Sequence, residues 1–114
     1  MISVIESYSS IIAGYEVRRY RQFGGAYEHV AIIRFIDHSE LHVRDYLFFD
    51  GERKYSFHWQ NAKKEIIRRW DNSPHHPQIA TFPFHLHTTD DVRESMPMTL
   101  KKVLDFINTI VSKR

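Results

Sequence analysis

The chain has 114 residues, 42% hydrophobic, 14% aromatic and 26% charged, the balance of one folded domain over residues 1–114 with its own core and not of a disordered tail. Its net charge of +2 with histidine neutral is too mild to argue for nucleic acid by itself, and the absence of cysteine excludes disulfide scaffolds, thiolate zinc sites and cysteine nucleophiles. No run approaches the ~20 apolar residues of a membrane helix, and the N-terminus lacks a signal-peptide layout, so the expectation is a cytoplasmic protein with no membrane partner.

Ile2, Ile5 and Ile12, with Val4, Tyr8 and Ile11 on a neighbouring stripe, recur at helical spacing and predict a helix over 2–12 that stops at Gly14. From Tyr15 to Phe23 the period changes to two, which predicts a first strand carrying Arg18, Arg19 and Arg21 and turning at Gly24-Gly25. Tyr27 to Ile36 is richer in β-formers, with Val30, Ile32 and Ile36 on one face and Ala31, Ile33 and Phe35 on the other. This predicts a central strand covered on both sides. Asp37-His38-Ser39 ends it. Leu41, Val43, Leu47 and Phe49 then alternate with His42, Arg44, Tyr46 and Phe48 up to the hairpin signal Asp50-Gly51, and Tyr55, Phe57 and Trp59 return against Ser56, His58 and Gln60.

Asn61 to Trp70 fits either period. The preferred reading is a turn at Asn61 to Lys64 and a strand from Glu65 to Trp70, with a helix as the competitor. After Pro97, the stripe Leu100, Val103, Leu104, Ile107 and Val111 predicts an amphipathic helix over 97–112. The predicted fold is α+β: an antiparallel meander sheet of four or five strands with an N-terminal and a C-terminal helix packed on it.

Between the last predicted strand and the last helix lies RRWDNSPHHPQIATFPFHLH, residues 68–87, which holds four of the eight histidines and three of the four prolines. The prolines and the Asn72-Ser73-Pro74 step predict a loop stiffened by restricted backbone angles. In extended backbone His85-x-His87 points both rings to one side, and His75 or His76 would close a triad around a metal ion. The carboxylates Asp71, Asp90 and Asp91 stand at no recognisable ligand offset. The preferred reading is therefore no metal and no cofactor, with His75, His85 and His87 as the competing metal set.

Acid-base chemistry without a metal needs one base, one acid and a cation for the charged phosphorane when a ribose 2′-hydroxyl cleaves a phosphodiester, and this loop contains those ingredients. Arg68 and Arg69 alternate sides on a strand, so only one faces the loop. Trp70, Phe82 and Phe84 have two readings: platforms for nucleobases, or core anchors of the loop, the second preferred for Trp70 with at least one phenylalanine, Phe82 foremost. Arg18, Arg19 and Arg21 either contact phosphates or an acidic partner, or protect an edge strand from pairing.

Phe57-His58-Trp59-Gln60, Arg69-Trp70-Asp71-Asn72-Ser73-Pro74-His75-His76 and Thr81-Phe82-Pro83-Phe84-His85-Leu86-His87 together resemble the TumE family of small prokaryotic toxin-antitoxin proteins, over about residues 40–110. The resemblance implies a toxin neutralised by a cognate helix-turn-helix antitoxin, inhibiting growth by RNA cleavage or another block on translation. Carried over position by position, the motif falls on Arg69, Asp71, Asn72, Pro74, His75, His76, Phe82, Pro83, His85 and His87, while Phe84 stands where many relatives carry a histidine. The combined expectation is a toxin acting on RNA as a metal-independent ribonuclease. His75 or His76 is its base, His85 or His87 its acid, Arg69 the cation and Asp71 part of the same set, with Asn72, Phe84, Arg18, Arg19 and Arg21 as binding residues. The competing expectation is a non-enzymatic module that recognises an antitoxin or a translation component through residues 68–87.

Overall fold

The computed structural model of the chain describes residues 1–112. In chain order the elements are α1 (Ile2–Glu6), β1 (Ile12–Phe23), β2 (Ala26–Phe35), β3 (Glu40–Leu47), β4 (Arg53–Gln60), β5 (Ile66–Asp71), β6 (His85–His87), β7 (Val92–Glu94) and α2 (Leu100–Val111). The strands form one open sheet in the order β1 to β7, each antiparallel to its neighbour. The expected α+β meander is present, but with seven strands instead of four or five. The two extra strands are β6, which lies inside the proline-rich segment, and β7, only three residues long; neither leaves a visible alternation of its own.

Strand periodicity explains which face is buried. Successive side chains alternate across a strand, and the register places Ala31, Val43, Phe57, Trp70 and Leu86 in one row across β2 to β6. That row and its neighbours Ile33, Phe35, Leu41 and Trp59 are buried against Val103, Leu104 and Ile107 of α2 and against Ile5 and Ile11. Phe106 meets Trp59 and Trp70 edge-on at 6.4 and 5.7 Å between ring centroids, so the two tryptophans are foundations of the sheet. Tyr8 closes the layer between the helices by donating its hydroxyl proton to Asp105. The result is two layers, 39 × 37 × 21 Å overall.

Thr99 caps α2, its Oγ1 accepting from the Lys102 N–H at 3.2 Å. At the same end Arg53 makes a paired contact with the Asp45 carboxylate, at 2.8 and 3.0 Å, and donates to the Met98 carbonyl at 2.6 Å, tying β3 and β4 to the start of the helix. Among the described residues no helix is long and apolar enough to cross a membrane.

Several boundaries differ from those expected. The first helix covers Ile2–Glu6 and not 2–12: Ile11 is buried from a turn, Ile12 already pairs with Phe35, and Gly14 is a strand position where a Cβ would meet the Arg34 guanidinium at 2.7 Å. The β2 strand is covered on one side only. Ala31, Ile33 and Phe35 are buried, whereas Val30 and Ile32 are half-buried on the open face and Ile36 lies exposed beyond the strand end. The Asp50-Gly51 hairpin is wider than two residues, since β3 ends at Leu47 and β4 begins at Arg53, with Gly51 at φ +87°. The Asn61 to Lys64 turn forms as expected, its Asn61 Oδ1 accepting from the Lys63 and Glu65 N–H groups. The strand that follows runs Ile66–Asp71. The final helix is Leu100–Val111.

Candidate functional site

Both helices pack on one side of the sheet, which leaves its other side open. The register aligns His42, His58, Arg69 and His87 in a row across β3 to β6, and Arg44, Ser56, Asp71 and His85 in the adjacent row. With strands ~4.8 Å apart, each row of four spans about 14 Å. Polar side chains at alternate positions of four strands thus become one surface.

The two halves of this surface differ. Over β3 and β4 it is a cleft of about 460 Å³ lined by His42, Arg44, Tyr46, Lys54, Ser56, His58 and Arg69. Three cations and two imidazoles line it, with no carboxylate. Among the described residues Arg44 and Lys54 have no ion pair. The rings of His42 and His58 meet edge-on with centroids 6.3 Å apart, and His42 Nε2 lies 3.4 Å from Glu40. Burial, then the charge of Arg69 and the neighbouring His42, push the His58 imidazole below its ordinary value, opposed by a hydrogen bond with Gln60. Arg18 and Arg19 adjoin this cleft through Arg44 and Tyr46, which border a shallower depression with them. Each is also ion-paired at the surface, Arg18 with Glu16 at 3.2 Å and Arg19 with Glu28 at 3.5 Å. Arg21 stands opposite Glu28 on the exposed edge strand β1, away from both depressions.

Over β5 and β6 the 72–84 connection brings His76 onto the open face. Here His76, His85 and His87 meet edge-on, with centroids 4.8 Å (76–85), 5.4 Å (76–87) and 4.7 Å (85–87) apart. One ring nitrogen from each lies within 4.8 Å of the others. His85 is 1% exposed. Asp71 sits beneath them, with Oδ1 2.7 Å from His85 Nε2 and Oδ2 3.6 Å from His87 Nε2. Burial raises the Asp71 carboxyl, but hydrogen bonds from the Ser73 hydroxyl, Arg69 and the Ser73 N–H, with the adjacent His85, outweigh it and hold the group below the usual carboxylate range.

The structure therefore brings together Arg69, Asp71, His76, His85 and His87 of the expected set. His75 is exposed and takes no part in the ring contacts among the other three. Asn72 has both ends of its amide engaged: Oδ1 accepts from the Tyr55 N–H at 2.9 Å, and Nδ2 donates to the Arg53 carbonyl at 2.6 Å, extending the β4–β5 pairing by side chain. Phe84 stacks on Tyr55 at 6.5 Å and packs against the core, while Phe82 is 43% exposed, so the phenylalanine that anchors the loop is Phe84 and not Phe82. Of the two arginines, Arg69 faces the site and Arg68 lies over the Phe106 ring on the helix side at 4.4 Å.

His42, Arg44, Tyr46, Lys54 and Ser56 lie outside the histidine-loop motif, and His58 appears in the sequence signal only within Phe57-His58-Trp59-Gln60. Their signal was the alternation along β3 and β4, which put them on one face; only the register with β5 showed that this face continues into the histidine segment.

A family model described as Toxin TumE matches residues 1–114, the whole chain, and so extends over the N-terminal third, which carries none of the motif residues. No curated protein and no solved structure matches the chain.

Proposed function

The chain belongs to the TumE family of toxins, and from that premise we propose that it is the toxin of a toxin-antitoxin pair that cleaves RNA on the open face of its sheet. The observation that carries this reading is the cleft in which His42 and His58 lie among Arg44, Lys54 and Arg69 with no carboxylate in the lining. Cations in a concave polar surface attract the phosphate backbone. Attack by a ribose 2′-hydroxyl on the adjacent phosphorus then requires a base to take the hydroxyl proton and an acid to protonate the leaving 5′ oxygen. His58 fits the base, because burial and then Arg69 keep it unprotonated at neutral pH. His42 takes the complementary role as acid. Arg69, held at 3.0 Å by Asp71, stabilises the charge that develops on the phosphorane. The acid-base pair thus lies in the open cleft, and the sealed position of His85 suits it to holding the loop.

Inducible expression in cells tests the proposal. His58→Ala and His42→Ala should each relieve growth arrest and lower RNA cleavage by about 10²–10⁴-fold while circular dichroism stays that of the parent. Full toxicity in both folded variants would overturn it. A second reading, a binding module working through residues 68–87, is favoured by the exposed Phe82 and His75 on that loop. It expects purified protein to leave RNA intact and His75→Ala to weaken the complex with the antitoxin.

A further inference from the structure

We propose that His76, His85 and His87, backed by the carboxylate of Asp71, bind one divalent transition-metal ion of the zinc class, which fastens the 72–84 loop to the sheet. His85 Nδ1 lies 3.0 Å from the Pro83 carbonyl, an acceptor only, so Nδ1 is the nitrogen that bears a hydrogen and Nε2 is the one free to offer a lone pair. That Nε2 is fully buried and has no hydrogen-bond partner among the described residues, because the Asp71 oxygen 2.7 Å away lies off the direction in which an N–H there would point. A buried lone pair beside a carboxylate oxygen is unfavourable unless a cation joins them.

His76 and His87 bring two more imidazoles to the same place. One nitrogen from each of the three rings falls within 4.8 Å of the others. Tetrahedral zinc with nitrogens at about 2.0–2.1 Å needs ligand atoms about 3.3 Å apart, a closure that rotation of His76 and His87 about their side-chain bonds accommodates. Both of these rings are half-buried, whereas His85 is fixed. The bond from His85 Nδ1–H to a backbone carbonyl is the outer contact that metal-bound imidazoles make, setting the ring's orientation and leaving the opposite nitrogen for the ion. Asp71 supplies the negative charge and an oxygen for the fourth position. Three imidazoles and one carboxylate suit a borderline ion such as Zn²⁺ or Co²⁺ better than Mg²⁺ or Ca²⁺, which take oxygen ligands.

Two ligands come from β6, one from the end of β5, and His76 from the loop between them. The ion therefore closes the 72–84 loop onto the sheet next to the cleft without lying in it. Asp71 also holds Arg69 of the cleft, but the metal site is argued and tested without reference to RNA cleavage.

The test uses full-length, tag-free protein stripped with a chelator and titrated with Co²⁺, whose visible absorption reports tetrahedral nitrogen and oxygen ligands, followed by competition with Zn²⁺. One ion per chain should bind, and Zn²⁺ should raise the melting temperature. His76→Ala and His87→Ala should each weaken binding by about tenfold or more and shrink the thermal shift at a given Zn²⁺ concentration, while His75→Ala binds as the parent does. His76 lies on the loop and His87 is half-buried, so these two variants keep the test decisive even where His85→Ala fails to fold. Uptake that does not saturate at one ion, or equal affinity in His76→Ala and His87→Ala, would overturn the site.

Discussion

Arg68 and Arg69 are adjacent in the chain and belong to opposite sides of the molecule. Strand alternation says that only one of them faces the histidine segment; the register shows it to be Arg69, because Trp70 pairs with Phe57 in the buried row. Arg68→Ala should cost about 0.5–1 kcal/mol through its lost contact over Phe106 and leave RNA cleavage unchanged. Arg69→Ala should lower cleavage by at least about tenfold, and Arg69→Lys should restore only part of it, since lysine keeps the charge without the planar fork. Chemical denaturation and a cleavage assay on the same preparations check both. His75 and His76 were not separable in this way, because neighbouring residues of an irregular loop have no period to tell them apart. Only the fold of the 72–84 connection turns His76 onto His85 and leaves His75 in solvent.

Among the elements, those with a long alternation or a full helical stripe were legible: β2, β3, β4 and α2 stand close to where their apolar residues place them. The misreadings occur where too few residues carry the pattern. Three residues make β6 and three make β7, and the prolines before β6 argue for a loop until pairing of Asp71 with His85 overrides them. The N-terminal stripe continues past Glu6 by coincidence, since Ile11 and Ile12 reach the core and the sheet by other routes. The clearest element, α2, gives two stability predictions. Thr99→Ala removes the cap and should cost about 1 kcal/mol. Leu104→Ala, at a fully buried position facing the sheet, should cost about 2–5 kcal/mol. Urea unfolding measures both, and a cost for Leu104→Ala no larger than that of the cap would contradict the placement of α2 over the core.

At the scale of the whole molecule, the two layers leave one sheet face packed and one open and polar, and the imidazoles are divided between them. His29, stacked between Tyr20 and Tyr27, is lowered first by burial and then by the N-terminal amine, against the pull of Asp45. His58 is lowered for its own reasons on the open face. Each ring is harder to protonate folded than unfolded. The stability this confers is complete above about pH 6.5, and it is lost as pH falls from there toward the lower folded values, because the unfolded chain takes up protons first. His29→Gln and His58→Gln should therefore flatten the fall in stability below pH 6.5, and unaltered slopes would contradict these assignments. The open face should also bind RNA more weakly as salt rises, and Arg44→Gln should reduce the slope of log affinity against log salt by about one phosphate contact. The division into two faces was implicit in the alternation of each strand, but the continuity of the open face across four strands required their register.

The most direct test of the central claim, that the open face cleaves RNA through its 2′-hydroxyl, is the product analysis of a short synthetic RNA incubated with the purified toxin, beside the same strand methylated at every 2′-oxygen. Cleavage of the first to fragments ending in a 2′,3′-cyclic phosphate, with the methylated strand intact and His58→Ala inactive on both, is the predicted result. Equal cleavage of both strands, or cleavage by His58→Ala at the parent's rate, would contradict it.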